Sequence, residues 1–511
     1  MQVPEQANGD AMDVTYPDDS SDESHVVPET ANAEIAEITA RLRRGEPAGW
    51  PERGQRCSYS RELDALDPLR HLRKQFLIPS TDSYNKTKLE DTVPDDFTGS
   101  ESEERSATYL SGNSLGVQPK AVRRYIDNQL ETWASIGVHG HSRLMENSPL
   151  MPWLDMAERC SRQTAPLVGA QPHEIIYMNS LSVNLHLMMF SFYKPEGRKT
   201  KILCEWRPFP SDFYVIESQL RIRGMENITD HIITVRPVNE DSYLSTADIL
   251  QKIEANSGEL ALILLPGVQY YTGQVLDMAR ITAFARNRRI PIGWDLAHAV
   301  GNVELSLHDW DVDFACWCSY KYLNAGPGAI SGVFVHDRHG QVQPRYRPRL
   351  TGWYGHERST RFDMDNIFRP TPGAAGYQIS NPSAMDLAIL SAALTAFEHT
   401  SMKALRDKSL LLTSYTEHLL ELTLAKCPQP YPPFRIITPR DARERGAQLS
   451  LLFHHDWFDV TAECLERHSI ACDKRKPNVI RVAPVALYNN FKEVDYFVNV
   501  VALALGSRFP S

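Results

Sequence analysis

Between residues 260 and 336 the chain alternates short apolar runs with amphipathic stretches, and this alternation constrains the fold more than any other feature. Apolar or small residues fill 260–265, 290–294, 314–318 and 329–336, each run bounded by polar or glycine-rich segments. A helical pattern at 281–287 lies between the first two, after a Thr272-Gly273 turn. Short apolar runs bounded by turns are buried strands. Strands that alternate with helices build a parallel sheet covered on both faces. A further strand is expected at 201–205, and an apolar helix at 185–192.

In such sheets ligands bind at the strand ends, and two residues stand there. Asp295 closes the run 290–294, and Lys321 follows the run 314–318 on Ser-Tyr-Lys-Tyr, ahead of Asn-Ala-Gly-Pro-Gly. A lysine at such a place suits Schiff-base chemistry with an aldehyde. An acid nearby suits the protonated ring nitrogen of pyridoxal phosphate, the partner that lets this cofactor act as an electron sink. Other readings compete. A lysine after a strand is often structural. His298, His308, Asp311 and Asp313 offer imidazole and carboxylate to a metal, although without a tight ligand spacing. Cys316 and Cys318 flank Trp317 and read as core packing.

Further motifs lie on either side. Tyr109 opens YLSGNSLGVQPK, in which Asn and Gly suit a tight turn. An amphipathic helix follows at Ala121–Ile136, with Val122, Tyr125, Ile126, Leu130 and Trp133 on one face. It runs into Gly-Val-His-Gly-His, ending at His141. Residues 178–184, MNSLSVN, open the apolar helix. Ser and Asn there read as caps, or as an anion site at the positive end of the helix. Arg481 stands in an otherwise apolar strand, 479–483, where a cation needs an anion. The α-carboxylate of an amino-acid substrate is the natural candidate for a bidentate clamp.

Taken together, these motifs resemble kynureninase, and the resemblance runs from about Tyr109 to Leu505. It implies an α/β fold-type-I pyridoxal-phosphate enzyme, with a large domain built on a mostly parallel seven-stranded sheet and a small α+β C-terminal domain. It implies hydrolysis of L-kynurenine or L-3-hydroxykynurenine to L-alanine and anthranilate or 3-hydroxyanthranilate, in tryptophan catabolism and NAD biosynthesis. By family position Lys321 and Tyr320 are catalytic. Leu181, Ser182, Phe209, Pro210, Ser211, Asp212, Asp295, His298, Tyr320, Lys321, Trp353 and Asn381 bind the cofactor. Ser114, His141 and Arg481 bind substrate. Trp353 is expected to serve the neighbouring subunit, which implies a homodimer with shared sites. One departure is Pro266, where some family members carry a cofactor-contacting serine whose hydroxyl proline cannot replace. Desulfuration or transamination on the same fold, and a non-catalytic kynurenine-binding protein, stand as alternatives.

The chain of 511 residues has a net charge of −10 with a local origin. Residues 1–40 hold ten acids and neither Lys nor Arg, so the remainder carries 54 of each sign. That balance gives no nucleic-acid signature. An acid-rich start is unlike a mitochondrial presequence, no apolar run approaches a membrane span, and eight cysteines over this length form no disulfide framework. The expectation is a cytoplasmic protein. Its expected organisation is a disordered acidic tail over 1–32 and an N-terminal helical segment over 33–150, with helices at 33–44 and 61–76 and a polar insertion at 78–107. The large domain then covers 151–375. The small domain covers 376–511, with long helices at 384–399 and 403–425 and a β–α–β pattern at 448–453, 460–468 and 479–482.

Overall fold

The computed structural model describes residues 29–84, 86–88, 106–238, 243–343, 345–427 and 431–506. The expected acidic tail up to residue 28 and most of the polar insertion lie outside them. The first helix, α1 (Glu29–Arg44), begins before residue 33, so the tail boundary expected at 32 moves back. The helix expected over 61–76 is divided. Helix α2 (Cys57–Leu66) stops before Pro68, which forces Asp67 into extended backbone, and a 3-10 turn, Arg70–Gln75, follows.

Helix α3 (Ala121–Ile136) and helix α4 (Met156–Val168) lead into the large sheet. Its strands are β1 (Ile175–Met178), β2 (Lys201–Glu205), β3 (Ile232–Val235), β4 (Leu260–Pro266), β5 (Ile292–Asp295), β6 (Phe314–Trp317) and β7 (Ser331–Val335). They lie in the order β1-β7-β6-β5-β4-β2-β3. β7 is antiparallel to both of its neighbours, while β3, β2, β4, β5 and β6 run parallel. The sheet is therefore mostly parallel, as expected. Its central strands are buried except at Pro266, the last residue of β4, because they are built mainly of Leu, Ile, Ala, Trp, Phe and Cys. Helices α5 (Leu181–Phe192), α6 (Pro210–Ile222), α7 (Thr246–Ala255) and α8 (Met278–Asn287) supply the connections.

Register fixes where the strands end. Pro266 pairs with Asp295, and Asp295 with Cys316, so β4, β5 and β6 finish side by side. The segment bearing Tyr320 and Lys321 leaves the sheet just beyond that line.

Helix α9 (Ala384–Leu394) packs on α3 and α4, and its side chains join the core of the large sheet. Helix α10 (Met402–Lys426), with Ser401 accepting from the Ala404 N–H, opens a second core. That core contains a four-stranded antiparallel sheet in the order β8 (Phe434–Ile436), β9 (Leu449–Phe453), β11 (Val479–Val482), β10 (Asp473–Arg475). Helices α11 (His455–Arg467) and α12 (Phe491–Ala504) cover it. Ile38 and Leu42 of α1 and Tyr59 and Leu63 of α2 are buried in this second core. The N-terminal helices thus pack with the C-terminal part of the chain. Among the described residues, no helix is long and apolar enough to cross a membrane.

Candidate active site

A cavity of about 200 Å³ opens at the shared end of β4, β5 and β6. Ser180, Leu181 and Ser182 line one side, Phe209, Ser211 and Asp212 another, and Asp295, His298, Tyr320 and Lys321 the floor. Nine of the residues expected from sequence therefore share one cavity. Pro210 is the first residue of α6, beside Phe209.

Lys321 is buried, and its Nζ lies 2.9 Å from His298 Nε2. Burial and the charges of Lys321 and Arg481 hold the His298 imidazole well below its usual pKa. A neutral ring can accept a hydrogen bond from Lys321 Nζ. The buried Nδ1 of His298 has no hydrogen-bond partner among the described residues. The Lys321 Nζ also lies 5.9 Å from the Phe209 ring centre and 5.8 Å from that of Tyr320, so it faces two aromatic walls. Burial raises the Tyr320 hydroxyl pKa, so Tyr320 stays a proton donor at neutral pH.

Three carboxyl groups share a buried part of the same cavity. Asp295 accepts the Ala297 N–H at 2.8 Å. Asp212, in the first turn of α6, hydrogen-bonds to Asp295, and burial together with the charge of Asp295 raises its pKa well above the ordinary carboxyl range. Burial pushes Glu205, at the end of β2, up to about 8. Burial thus favours the protonated forms of Glu205 and Asp212, so the cluster does not carry three full negative charges. That suits one cationic ring nitrogen. The first N–H groups of α5 have no intrahelical partner and lie at its positive end, which suits an anion. An amine, a buried carboxyl cluster and a helix N-terminus in one cavity match a carbonyl compound bearing a cationic ring and a phosphate.

Glu205, Ser180, Val268, Tyr270 and Ala297 line the cavity but were not expected from sequence. Glu205 had a readable signal: like Asp295, it is an acid that ends an apolar strand. Pro266 also lines the wall, so the position of the serine hydroxyl is apolar here.

For Arg481 the structure adds a partner that the sequence did not indicate. Its anionic partner within the chain is Asp473, its neighbour across β10 and β11, which accepts from Nε at 2.9 Å and Nη2 at 2.8 Å. Nη1 donates to the Tyr270 carbonyl at 2.6 Å. Arg481 therefore stands behind the cavity-lining Tyr270, with hydrogens on Nη1 and Nη2 still to offer.

Ser114 lies on the Gly112–Gly116 turn, which is wedged between the C-terminal core and the lysine segment: the Gly116 N–H donates to the Tyr320 carbonyl at 2.8 Å. A Cβ on Gly116 would meet the Lys321 carbonyl oxygen at 2.4 Å, and one on Gly112 would meet the Tyr488 hydroxyl, also at 2.4 Å. Glycine is required there by close approach.

His141, Trp353 and Asn381 lie outside this cavity. His141 is exposed and packs edge-on to Trp153. Trp353 and Asn381 are exposed on adjoining segments, linked by the Tyr354 N–H to the Ile379 carbonyl. The four metal-candidate residues do not converge either. His298 belongs to the cavity, whereas His308, Asp311 and Asp313 precede β6, at the opposite end of the strand from Lys321. Cys316 and Cys318 are buried, as core packing requires.

Residues 405–501 match the family model described as the kynureninase C-terminal domain. Kynureninase 1 of Neurospora crassa is 51% identical over 475 residues, covering 91% of this chain and 98% of its own length. Kynureninase 2 of Phaeosphaeria nodorum is 49% identical over 469 residues, covering 91% and 95%. Among solved structures, an apo cysteine desulfurase from Thermococcus onnurineus aligns with a TM-score of 0.63 at 16% identity, covering 82% of this chain and 100% of its own. The C-DES protein, with glycine covalently linked to its PLP cofactor, aligns at 0.61 and 15%, covering 78% and 96%. At such identities the last two establish the fold alone.

Proposed function

The chain belongs to the kynureninase family, and on that premise we propose that it hydrolyses L-kynurenine, L-3-hydroxykynurenine or both. The products are L-alanine and the corresponding anthranilate, within the kynurenine pathway, and pyridoxal phosphate occupies the cavity at Lys321. The observation that carries this reading is that the buried Lys321–His298 pair and the Asp212–Asp295 carboxyls line one cavity together with the α5 N-terminus.

Each residue has a task that follows from its place. Leu181 and Ser182, with Ser180, hold the phosphate through the free N–H groups of α5. Asp295 holds the ring nitrogen, and Asp212, sharing its proton with Asp295, keeps that carboxylate in position. Phe209 covers the ring face, and Pro210 and Ser211 fix its approach. Lys321 would hold the aldehyde carbon of the cofactor through its buried Nζ. Bound there, the cofactor supplies an electron sink for carbanions next to the substrate's amine-bearing carbon. The Lys321 amine, held 2.9 Å from the His298 ring, would serve as the base that takes the substrate's α-proton. Arg481 offers its remaining Nη hydrogens to the substrate carboxylate, while Asp473 fixes the guanidinium plane. Tyr320 donates and relays protons during addition of water to the ketone. Ser114 and His141 border the aryl ring.

The working form is a homodimer in which Trp353 and Asn381 complete the partner subunit's site. Support comes from their exposure outside the chain's own cavity and from Leu130 and Trp133 of α3, which are 46% and 61% exposed. We propose a cytoplasmic location on composition alone; cell fractionation tests it. The domain division at residues 150 and 375 is likewise a proposal, to be tested by limited proteolysis.

The test of activity is incubation with each substrate and pyridoxal phosphate while alanine and the anthranilate product are quantified. The reading requires equal yields of the two. A protein that absorbs as a pyridoxal enzyme yet releases no alanine points to a sister reaction. Desulfuration is the nearest, but none of the residues lining the cavity is a cysteine.

A further inference from the structure

We propose that Glu174, His308 and His336 form a binding site for a divalent first-row transition metal ion, of which Zn²⁺ is the best match. The site is separate from the Lys321 cavity. Glu174 lies just before β1, His308 precedes β6, and His336 follows β7. Because β7 runs antiparallel to its neighbours β1 and β6, these three points meet at the end of the sheet opposite Lys321.

The donor set is the first argument. One ligand atom from each residue lies within 4.8 Å of the others. His308 Nδ1 is 2.9 Å from Glu174 Oε1, and His336 Nδ1 is 3.7 Å from the same oxygen. Tetrahedral Zn²⁺ with bonds of about 2.0–2.1 Å separates its ligands by roughly 3.3 Å, between those two values. Two imidazoles and a carboxylate suit a borderline ion of this kind.

The surroundings are the second argument. Glu174 is fully buried, and its only ion-pair partners among the described residues are His308 and His336. A buried carboxylate requires a compensating cation, and here that is either a proton on His308 or a metal ion. The carboxylate is oriented by the N–H groups of Gln171 at 2.9 Å and Asp337 at 2.8 Å. His336 Nε2 faces Asp311 Oδ1 at 3.2 Å, the carboxylate–histidine arrangement that orients metal-binding imidazoles and leaves the other nitrogen's lone pair free. That lone pair accepts only a long hydrogen bond, 3.3 Å, from the Arg338 N–H, which a metal ion would displace. The nearby cations do not compete for Glu174, since Asp311 and Asp313 engage Arg286 and Arg338. Entry is open: the His308 side chain is 37% exposed. An ion there ties together the segments that enter β1 and β6 and leave β7, at the base of strands whose far ends carry Ser180 and Lys321.

The test uses the full-length holoenzyme, freed of metal by a chelator and titrated with Co²⁺ as a spectroscopic probe. The expected result is one Co²⁺ per chain with ligand-field bands of a low-coordinate nitrogen–oxygen site, displaced by Zn²⁺, and a higher Tm for the metal-loaded protein. His308→Ala and His336→Ala lose the bands at least tenfold in affinity. His454→Ala/His455→Ala, which removes the exposed cluster at Asp456, retains them. A second measurement needs no variant: Zn²⁺ should shield His308 and His336 of the unaltered protein from carbethoxylation, read by peptide mass. The absence of saturable Co²⁺ binding, unchanged binding in the two histidine variants, or unshielded His308 would each overturn the proposal.

Discussion

Glu205 shows how a cavity-lining residue ties folding stability to pH. In the apoenzyme its buried carboxyl is pushed up to about 8, from an ordinary value of 4.5. The folded state thus holds a proton that the unfolded chain releases above about pH 4.5. Folding stability contributed by this group is full below 4.5 and is lost as pH rises to about 8, at a cost on the order of a few kcal/mol. Glu205→Gln removes the ionisation. The apoenzyme Tm should therefore fall less steeply between pH 6 and 9 in the variant than in wild type, and identical slopes would contradict the assignment. Asp473 is the second residue whose weight the fold reveals. Its loss in Asp473→Asn leaves the buried Arg481 without its anion, which is expected to raise KM roughly tenfold, equivalent to about 1.4 kcal/mol, with kcat within a few-fold. Sequence alone located Arg481, because a lone cation in an apolar strand is conspicuous. It named no partner for Arg481 within the chain, because Asp473 and Arg481 become neighbours only through the pairing of β10 with β11.

At the scale of elements, strands and helices that carry their own pattern were readable. β2 and β11 and helix α3 fall on the expected residues, since each is set by local apolar spacing. The break at Pro68 was missed because an apolar period continues across it, although the backbone before proline cannot stay helical. On α3 the stripe reads as one apolar face. Only Tyr125 and its partly buried neighbours Val122 and Ile126 pack on the core, while Leu130 and Trp133 remain exposed. Periodicity reports an apolar face without telling a core from a subunit interface. The Gly112–Gly116 turn connects elements to chemistry. Gly116→Ala places a methyl group against the Lys321 carbonyl and Asn324, and overpacking of this kind costs about 1–3 kcal/mol. We expect a lower Tm and a several-fold loss of kcat/KM, whereas wild-type values for both would show that the turn does not brace the lysine segment.

For the whole molecule, chain order misleads about packing. α1 and α2 come first in sequence yet complete the core built by α10 and α12, so truncation before residue 57 should destabilise the C-terminal part. The proposed homodimer makes a sharper prediction. Lys321→Ala and Trp353→Ala, each nearly inactive alone, should regain about a quarter of wild-type activity when unfolded together and refolded in equal amounts. Half of the dimers would then be mixed, with one intact site in two. No recovery, despite mixed dimers seen by native mass spectrometry, would mean that Trp353 serves its own chain.

The central claim is that Lys321 carries the cofactor, and the most direct measurement is chemical trapping. The holoenzyme is reduced with borohydride and digested, and the peptide bearing the pyridoxyl phosphate is sequenced by mass spectrometry. The account predicts one modified peptide, containing Ser319-Tyr320-Lys321-Tyr322, with the added mass on Lys321. Modification at any other lysine, or none in protein that turns over kynurenine, would contradict it.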